Sequence, residues 1–201
     1  MVSGYFAEQD SVNGNAALNL KSKFLTDSFY SSELLKTLDS TRKNIVFCGT
    51  VSEAFALKIA AVIAQAKKYK VTLVGMPTWE AIKSFDKTDY KGVEFVYTSP
   101  YYYSKSNALV NSINIKYKAK YNGKPSDLVF KGYETMLRFA KTVSLYGSNA
   151  IQLFGDDMFK VINALDIQPV YNKQVSTKID YYENQKLYFI KKIDGIVKVI
   201  D

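Results

Sequence analysis

The sequence predicts an α/β protein of parallel, Rossmann-like βαβ lobes that ends in a β-hairpin. Three observations support this fold class. The segment from Asn44 to Gly75 follows a strand, helix, strand pattern within about 30 residues, the length of a βαβ unit, whose two strands pair in parallel. The tail from Val175 alternates apolar and polar residues and contains Asp194-Gly195, a strong hairpin signal. Finally, 47% of the 201 residues are apolar, which is enough to build buried cores.

The first elements follow from short-range patterns. Residues 1–23 are polar and weakly patterned, and we expect a lead-in or linker over residues 1–33. A short helix is expected in SSELLKTLDSTRKN, because its leucines share one helical face. Asn44–Cys48 is predicted to be a buried strand, and Val71–Gly75 is the second strand. Between them, Thr50 and Glu53 have the spacing of a capping box, which predicts the start of a helix.

The later elements are predicted in the same way. MPTWEAIKSF indicates a short helix after Pro77, and VEFVYTSP indicates a third strand. Ser106 to Tyr121 is amphipathic and is predicted to be a helix with Gly123 as its left-handed stop. A longer helix follows and ends near Gly147, and a weaker helix is expected from Ile151 to Leu165. The apolar positions of the longer helix, expected to face the core, are Val129, Tyr133, Met136, Leu137, Ala140 and Val143.

Charge and composition argue against several classes of function. The formal net charge is +8, but the basic residues are lysines except for Arg42 and Arg138, and arginine is the residue best suited to reading bases. Because the lysines are scattered, a solvated lysine surface is favoured over an anionic partner, and no nucleic acid is expected. The chain has no histidine, so the usual general base and the usual zinc ligand are missing. We therefore predict no enzyme activity and assign no catalytic residue, metal or cofactor.

The segment FCGTVSE admits three interpretations. A phosphate cradle needs several glycines or a lysine at a helix N-terminus, whereas this segment has one glycine and places Glu53 where the anion would sit. A catalytic thiol at Cys48 would have no histidine to assist it, and a cysteine at the end of an apolar strand is typical of a core. The third interpretation, the wall of a pocket for an uncharged or zwitterionic solute, remains.

The predicted binding site lies in the loops that follow the first two strands. Ligands of open α/β sheets bind beyond the carboxyl ends of parallel strands, and these two loops supply hydroxyls, backbone N–H groups and one indole. An alternative stays open, in which Thr50 only caps its helix and Trp79 only packs. The candidate ligand-binding residues are Gly49, Thr50, Ser52, Met76, Thr78 and Trp79.

The sequence also contains acidic pairs and runs of tyrosine, which are residue types found in functional sites. Asp156-Asp157 is more typical of a helix start than of a metal or acid–base site, and Asp180 with Glu183 lies in a predicted turn region. The runs Tyr101–Tyr103 and Tyr181–Tyr182 could stack sugars or bases. Neighbouring positions of a strand point to opposite faces, so at least one tyrosine of each run is expected in a core.

The order of these pieces resembles a known family. NIVFCGTVSEAFALKIAAVIAQAKKYKVTLVGMPTWE resembles the second-lobe βαβ unit of type I periplasmic solute-binding proteins, the leucine/isoleucine/valine-binding-protein-like family. GVEFVYTSPYYY looks like the strand that crosses to the other lobe, and KYKAKYNGKPSDLVFKGYETMLRFAKTV is similar to the two helices that follow it. GMPTWE is similar to members from Bacteroidetes, some of which join this module to peptidoglycan-binding LysM repeats. The resemblance spans about Leu34 to Ile200 and covers the C-terminal half of the family's architecture.

The resemblance implies a partial periplasmic-binding-protein fold over residues 34–201. It implies a second-lobe βαβ unit at 34–90, a crossing strand with first-lobe helices at 91–165, and a hairpin that returns to the second lobe at 166–201. It places the ligand at the two loops named above and a hinge at Thr98, Ser99 and Pro100.

The function implied is non-catalytic binding of an amino acid, a peptide or a cell-wall fragment in an interlobe cleft. Such a module serves as a receptor for an ABC-transporter permease or as a sensor, in the periplasm or cell envelope. The acidic residue with which amino-acid-binding members hold an ammonium group is not evident, although Glu80 is close to the second loop. The alternative is a ligand-free scaffold module of the envelope, associated with peptidoglycan. Open sheet edges in a partial fold favour pairing into a homodimer.

Overall fold

A computed structural model describes residues 23–200, and they form a mixed α/β protein. The helices are α1 (Ser31–Leu35), α2 (Glu53–Gln65), α3 (Ala108–Tyr121) and α4 (Asp127–Tyr146). The strands are β1 (Lys43–Phe47), β2 (Lys70–Val74), β3 (Glu94–Ser99), β4 (Ile167–Tyr171), β5 (Ile179–Asn184), β6 (Tyr188–Ile193) and β7 (Ile196–Ile200). A mostly parallel sheet has the order β1-β2-β3-β6-β7, and β4 and β5 form a second, antiparallel sheet. The predicted α/β class is confirmed at this level.

The chain divides into two compact units. The first holds the described residues up to Phe95 together with Ile193–Ile196, and the second holds Val96–Lys192 together with the residues from Val197 onward. The predicted lobe boundaries, after residues 90 and 165, stay a prediction. The predicted lead-in at residues 1–33 lies mostly in residues 1–22, outside the described part of the chain.

The first unit contains the predicted βαβ unit, but the prediction that its first strand is buried is wrong, because β1 is at the edge of the sheet and exposes Ile45 and Phe47. β1 and β2 are parallel, in a register that pairs Asn44 with Val71 and Phe47 with Val74. α2 connects them and buries Ala56, Ile59, Ala60 and Ile63, while Leu73 of β2 is fully buried. Helical spacing places those four side chains on one face, so burial of a single apolar stripe holds α2 in the core.

The helix between these strands begins later than predicted. Its N-cap is Ser52, whose side chain accepts a hydrogen bond from the Phe55 backbone N–H. Thr50 Oγ1 instead accepts from the Ser52 N–H at 3.1 Å, a turn bond that precedes the helix. The predicted capping role of Thr50 is therefore wrong, because Ser52 is two residues nearer to the N–H groups that a cap must satisfy.

The single short helix predicted after Pro77 is replaced by three short 3₁₀ turns. These are Pro77–Ala81, Lys83–Asp86 and Thr88–Tyr90. Their aromatic side chains supply the packing, since the Phe85 ring stacks on Phe95 with centroids 4.1 Å apart. Three successive turns let the chain curve around these rings, which a straight helix could not do.

In the second unit, α3 and α4 occur where helices were predicted. α3 is capped by Asn107 and stops at Asn122, which has φ 51°. The predicted stop at Gly123 is therefore one residue too late, because asparagine also tolerates the left-handed conformation. α4 ends at Gly147, as predicted, and this glycine has φ 53°.

The buried face of α4 is the reverse of the predicted one. Of the predicted core positions, Tyr133, Met136 and Val143 are exposed. The helix instead buries one side chain in every four, and these are Phe130, Glu134, Arg138 and Thr142. The physical reason is that Glu134 and Arg138 bind backbone groups of an irregular neighbouring segment, which must be satisfied once buried.

That irregular segment replaces the predicted helix from Ile151 to Leu165. The chain forms 3₁₀ turns at Gly147–Leu153 and Asp157–Phe159, followed by bends. The prediction of a helix there is wrong. Asp156 caps the second turn by accepting from the Met158 N–H, which agrees with the expectation for this acidic pair.

The tail forms two strand pairs instead of one hairpin. β5 is antiparallel to β4, with Ile167 opposite Asn184. β6 and β7 are joined at Asp194 and Gly195, which both have positive φ angles, 49° and 76°. Positive φ at both central residues is the signature of a type I′ turn, so the predicted Asp-Gly hairpin is confirmed.

Candidate functional site

The two loops predicted to bind a ligand start side by side. β1 and β2 are parallel and end at the same level, with Phe47 opposite Val74, and the Cys48 N–H donates to the Val74 carbonyl at 2.8 Å. The loop of Gly49–Ser52 and the loop of Gly75–Trp79 therefore leave the same edge of the sheet. Adjacent carboxyl ends of parallel strands are the usual position of ligand sites in this class of fold.

The Trp79 side chain connects the second loop, to which it belongs, to the first loop. This side chain is 1% exposed, and its indole Nε1–H donates to the Thr50 carbonyl at 3.3 Å. The ring also packs against Phe85, with centroids 5.3 Å apart. Trp79 therefore belongs to the core that supports the site, as the alternative interpretation expected, while its N–H fixes the position of the first loop.

Gly75 is required for this arrangement. A Cβ atom added to Gly75 would lie 2.0 Å from Cδ2 of the Trp79 ring, far closer than two carbon atoms can approach. The indole consequently lies directly over the backbone at the start of the second loop. Gly49, by contrast, has nothing within 4 Å of such an atom.

The other predicted ligand-binding residues lie at or near the surface. Gly49, Ser52, Met76 and Thr78 are exposed, and Thr50 is half-buried. The Ser52 hydroxyl is engaged as the N-cap of α2 and the Thr50 hydroxyl as a turn acceptor. A solute at these loops would therefore meet hydroxyls that are already oriented by the backbone.

The local charge at the loops is negative. Glu53 is in the first turn of α2 and Glu80 is in the 3₁₀ turn Pro77–Ala81, whereas residues 45–57 and 71–82 contain no lysine or arginine. Carboxylates repel an anion and attract an ammonium group. This distribution favours a neutral, cationic or zwitterionic solute over a phosphate.

Cys48 is buried at the end of β1. Burial raises the pKa of its thiol above the ordinary value, an effect that the hydrogen bond with the Thr50 backbone partly opposes. The thiolate is the reactive form of cysteine, so a raised pKa disfavours that form at neutral pH.

The predicted hinge lies at the end of β3 in the second unit. Ser99 is buried, and its hydroxyl donates to the Tyr101 carbonyl at 2.8 Å, across Pro100. Tyr103 follows, stacked on Phe130 with ring centroids 5.0 Å apart. The Ser99 hydrogen bond holds the backbone around Pro100 in one conformation. That Thr98, Ser99 and Pro100 act as a hinge stays a prediction.

A cavity of about 510 Å³ lies in the first unit, lined by residues that begin β1, β2 and β3. Lys43, Lys67 and Lys70 line it, and the Glu94 carboxylate lies 3.4 Å from the Lys43 ammonium and accepts from Thr72 Oγ1 at 2.6 Å. The sequence analysis missed this cavity. The available signal was a charged residue at the start of each of the three strands.

A buried polar cluster in the second unit was also missed. The Glu134 carboxylate accepts from the backbone N–H groups of Ile162 and Asn163 and, at 2.8 Å, from Asn163 Nδ2. The Arg138 guanidinium donates to the carbonyls of Phe154 at 2.9 Å and Asn163 at 2.6 Å. Both charged side chains are used to hold the irregular segment, so their role is structural.

Among the described residues, Arg138 Nε lacks a hydrogen-bond partner, and the Tyr103 hydroxyl is buried beside the Glu134 carboxylate without a hydrogen bond of standard geometry. Burial, and then the nearby Glu134 carboxylate, raises the pKa of the Tyr103 phenol well above its ordinary value. Burial lowers the pKa of Arg138, and Glu134 opposes that effect. The sequence gives no sign of this cluster, because its members are separated by up to 60 residues.

Within residues 23–200, no group of three or more Cys, Asp or Glu side chains could hold a metal ion. No helix in this part of the chain is both long and apolar enough to cross a bilayer.

Comparison of the whole chain with protein-family models, with curated proteins and with solved structures gave no match. The resemblance to type I periplasmic solute-binding proteins therefore stays a prediction, and the site has to be judged on its own geometry.

Proposed function

We propose that this chain is a non-catalytic module that binds a small polar solute on the loops following β1 and β2. The observation that carries the proposal is the bond between the Trp79 indole and the Thr50 carbonyl, which fixes the two loops side by side. The fixed loops turn Ser52, Met76 and Thr78 toward solvent. A preformed surface of this kind binds without first ordering its loops, which lowers the entropic cost of association.

The solute class follows from the charges. Within residues 45–57 and 71–82 the charged residues are Glu53 and Glu80, so an ammonium-bearing or neutral molecule fits better than an anion. An amino acid or a short peptide has such an ammonium group, and a neutral sugar fragment would bind through hydroxyls. A receptor or sensor role in the cell envelope, with an ABC permease as partner, is the biological form that the sequence resemblance favours.

A non-catalytic role agrees with the ionisable side chains of the chain. The sequence has no histidine, and the Cys48 thiol beside the loops has a raised pKa. In the second unit, Glu134 and Arg138 bind backbone groups. None of these groups is arranged as a base beside a nucleophile, the arrangement that covalent catalysis needs.

Thermal unfolding of the full chain in the presence of single amino acids, di- and tripeptides, muropeptides and neutral sugars tests the proposal. A solute present at a hundred times its dissociation constant stabilises the native state by about 2.7 kcal/mol. For a protein of this size that is a rise in Tm of about 5–11 °C.

Two variants locate the binding surface. Thr78→Lys places a bulky charge at the second loop and should abolish the shift, whereas Thr88→Lys, an exposed threonine in another 3₁₀ turn, should leave it unchanged. The proposal is wrong if no compound of the panel raises the Tm, or if both variants respond equally.

The second candidate is an interaction module that binds peptidoglycan. It is favoured by β5, where Tyr181 and Tyr182 are both exposed, and by exposed Tyr171 on the paired strand β4. The expectation that at least one tyrosine of this run lies in a core is therefore wrong, because each face of the small β4-β5 sheet leaves one of them exposed. Exposed tyrosine rings are suited to stacking on sugar rings.

Co-sedimentation of the full chain with purified peptidoglycan separates the two candidates. Binding that Tyr181→Ala removes and Thr78→Lys leaves intact would favour the interaction module. The reverse pattern would favour the loops.

A further inference from the structure

α4 is an amphipathic helix whose apolar side faces outward. Its charged residues all lie within an arc of about 80°, taking 3.6 residues per turn. This arc is centred on the stripe of Phe130 to Thr142 that is buried in the second unit. The charged residues are Asp127, Lys131, Glu134, Arg138 and Lys141.

The opposite side of α4 is apolar and partly open to solvent. Two of its rings have a neighbour within the unit, since Phe139 packs against Phe154 with centroids 4.1 Å apart and Tyr146 meets Phe159 edge-on at 5.8 Å, and each keeps about two fifths of its surface exposed. The large side chains of this side are between 41% and 71% exposed, although helices of soluble proteins normally bury such a face. We call this surface the α4 seam, and it consists of Tyr133, Met136, Phe139, Val143 and Tyr146.

The spacing in the α4 seam is that of a helix packed against another helix. Met136, Phe139, Val143 and Tyr146 are separated by three, four and three residues, which is the a/d repeat of a coiled coil. Gly132 occupies the preceding d position, and a Cβ atom added there would meet nothing within 4 Å. The backbone at Gly132 is therefore open to close approach by a partner.

We propose that the α4 seam binds the α4 seam of a second copy of this chain, with the two helices antiparallel. In that arrangement Met136 faces Phe139 of the other copy, and Gly132 faces Val143, so a small residue lies opposite a larger one. A parallel pair would instead place Gly132 against Gly132 and leave a gap. The antiparallel arrangement also brings opposite ends of the two helix dipoles together.

The area of the α4 seam supports a second copy as the occupant. Two copies that each have a net charge of +8 repel each other overall, but the α4 seam itself contains no charged residue and so adds no local repulsion. Five side chains of roughly 200 Å² each, about half exposed, give on the order of 500 Å² per copy. The pair then buries about 1,000 Å², the lower limit for a specific interface, so we expect a concentration-dependent dimer.

Sedimentation equilibrium of the full chain over a hundredfold range of concentration tests the association. We expect masses between monomer and dimer for the natural chain. Met136→Glu should raise the dissociation constant at least about tenfold, because a carboxylate would be buried without a partner. Val143→Glu should raise the dissociation constant in the same way. It provides a second test of the interface if Met136→Glu folds poorly.

Ile115→Glu is the matched control. Ile115 on α3 is 70% exposed and Met136 is 71% exposed, so both changes put a carboxylate in place of an equally accessible apolar side chain. The control should dimerise like the natural chain. A monomer at every concentration, or dimers that Met136→Glu leaves intact, would overturn the proposal.

Cross-linking tests the orientation, in a background where Cys48 is replaced by alanine. Gly132→Cys with Val143→Cys in one chain should give disulfide-linked dimers on mild oxidation. Gly132→Cys alone should stay monomeric under denaturing conditions, whereas a parallel pair would cross-link through it and contradict the antiparallel arrangement. Monomers that bind anionic phospholipid vesicles through Met136 would assign the face to a lipid surface and likewise overturn the proposal.

Discussion

Replacing Gly75 with alanine should destabilise the first unit strongly, although it adds only one methyl group. The new Cβ would lie 2.0 Å from Cδ2 and 2.2 Å from Cε3 of the Trp79 ring. An indole is rigid, and this one is held by Phe85 and by its bond to the Thr50 carbonyl, so it has to move as a whole. Forcing extra volume into a packed core costs about 1–3 kcal/mol, and the loss of the indole hydrogen bond adds about 1 kcal/mol.

Urea denaturation measures this cost, and Gly49→Ala is the control. We expect Gly75→Ala to lose about 3 kcal/mol, whereas Gly49→Ala, where the new methyl group meets nothing within 4 Å, should stay within about 0.5 kcal/mol of the natural chain. Trp79 is the only tryptophan, so its fluorescence reports on the same site, and its emission should move to longer wavelength in Gly75→Ala. Equal stability of the two variants, with unchanged emission, would refute the packing argument.

Three further predictions concern the second unit. Glu134→Gln should cost about 1–3 kcal/mol in urea denaturation, because an amide would turn a donor toward the donors that the carboxylate now satisfies; a cost below about 0.5 kcal/mol would contradict this. Asn122→Ala should cost about 1 kcal/mol, since alanine tolerates φ 51° poorly, and Asn122→Gly should be neutral or stabilising by the same assay. Tyr103 has a raised pKa in the folded chain, so its contribution to stability is fully present below about pH 10, the pKa of an unfolded tyrosine, and is lost as pH rises through the folded value. The Tm of the natural chain should therefore fall more steeply between pH 9 and about pH 11 than that of Tyr103→Phe, and parallel curves would show that Tyr103 does not titrate with unfolding.

The sequence predicted the structure correctly where the local pattern of residues is enough to determine it. The βαβ unit follows from two apolar strands and one amphipathic helix, and the meeting of the loops at Gly49 and Gly75 follows from parallel pairing alone. The hairpin at Asp194-Gly195 follows from the need for two positive φ angles. In each case, the residues that determine the structure are neighbours in the sequence.

The sequence was not sufficient where distant residues decide the outcome. Periodicity identified two faces of α4, but which face is buried depends on Asn163 and Phe154, whose backbone groups bind Arg138. The burial of Trp79 likewise depends on where Phe85 lies. A pattern within one helix or loop contains no information about these partners.

The hydrogen bond from the Gly92 N–H to Asp194 Oδ1, 2.8 Å long, has a consequence for synthesis. The first unit is composed of residues up to Phe95 and of Ile193–Ile196, so its last piece is translated nearly a hundred residues after the rest. At about 5–20 residues per second the ribosome needs on the order of 5–20 s to make the intervening chain. During that interval the nascent βαβ unit lacks residues 193–196, so the first unit completes its folding only after they have been synthesised.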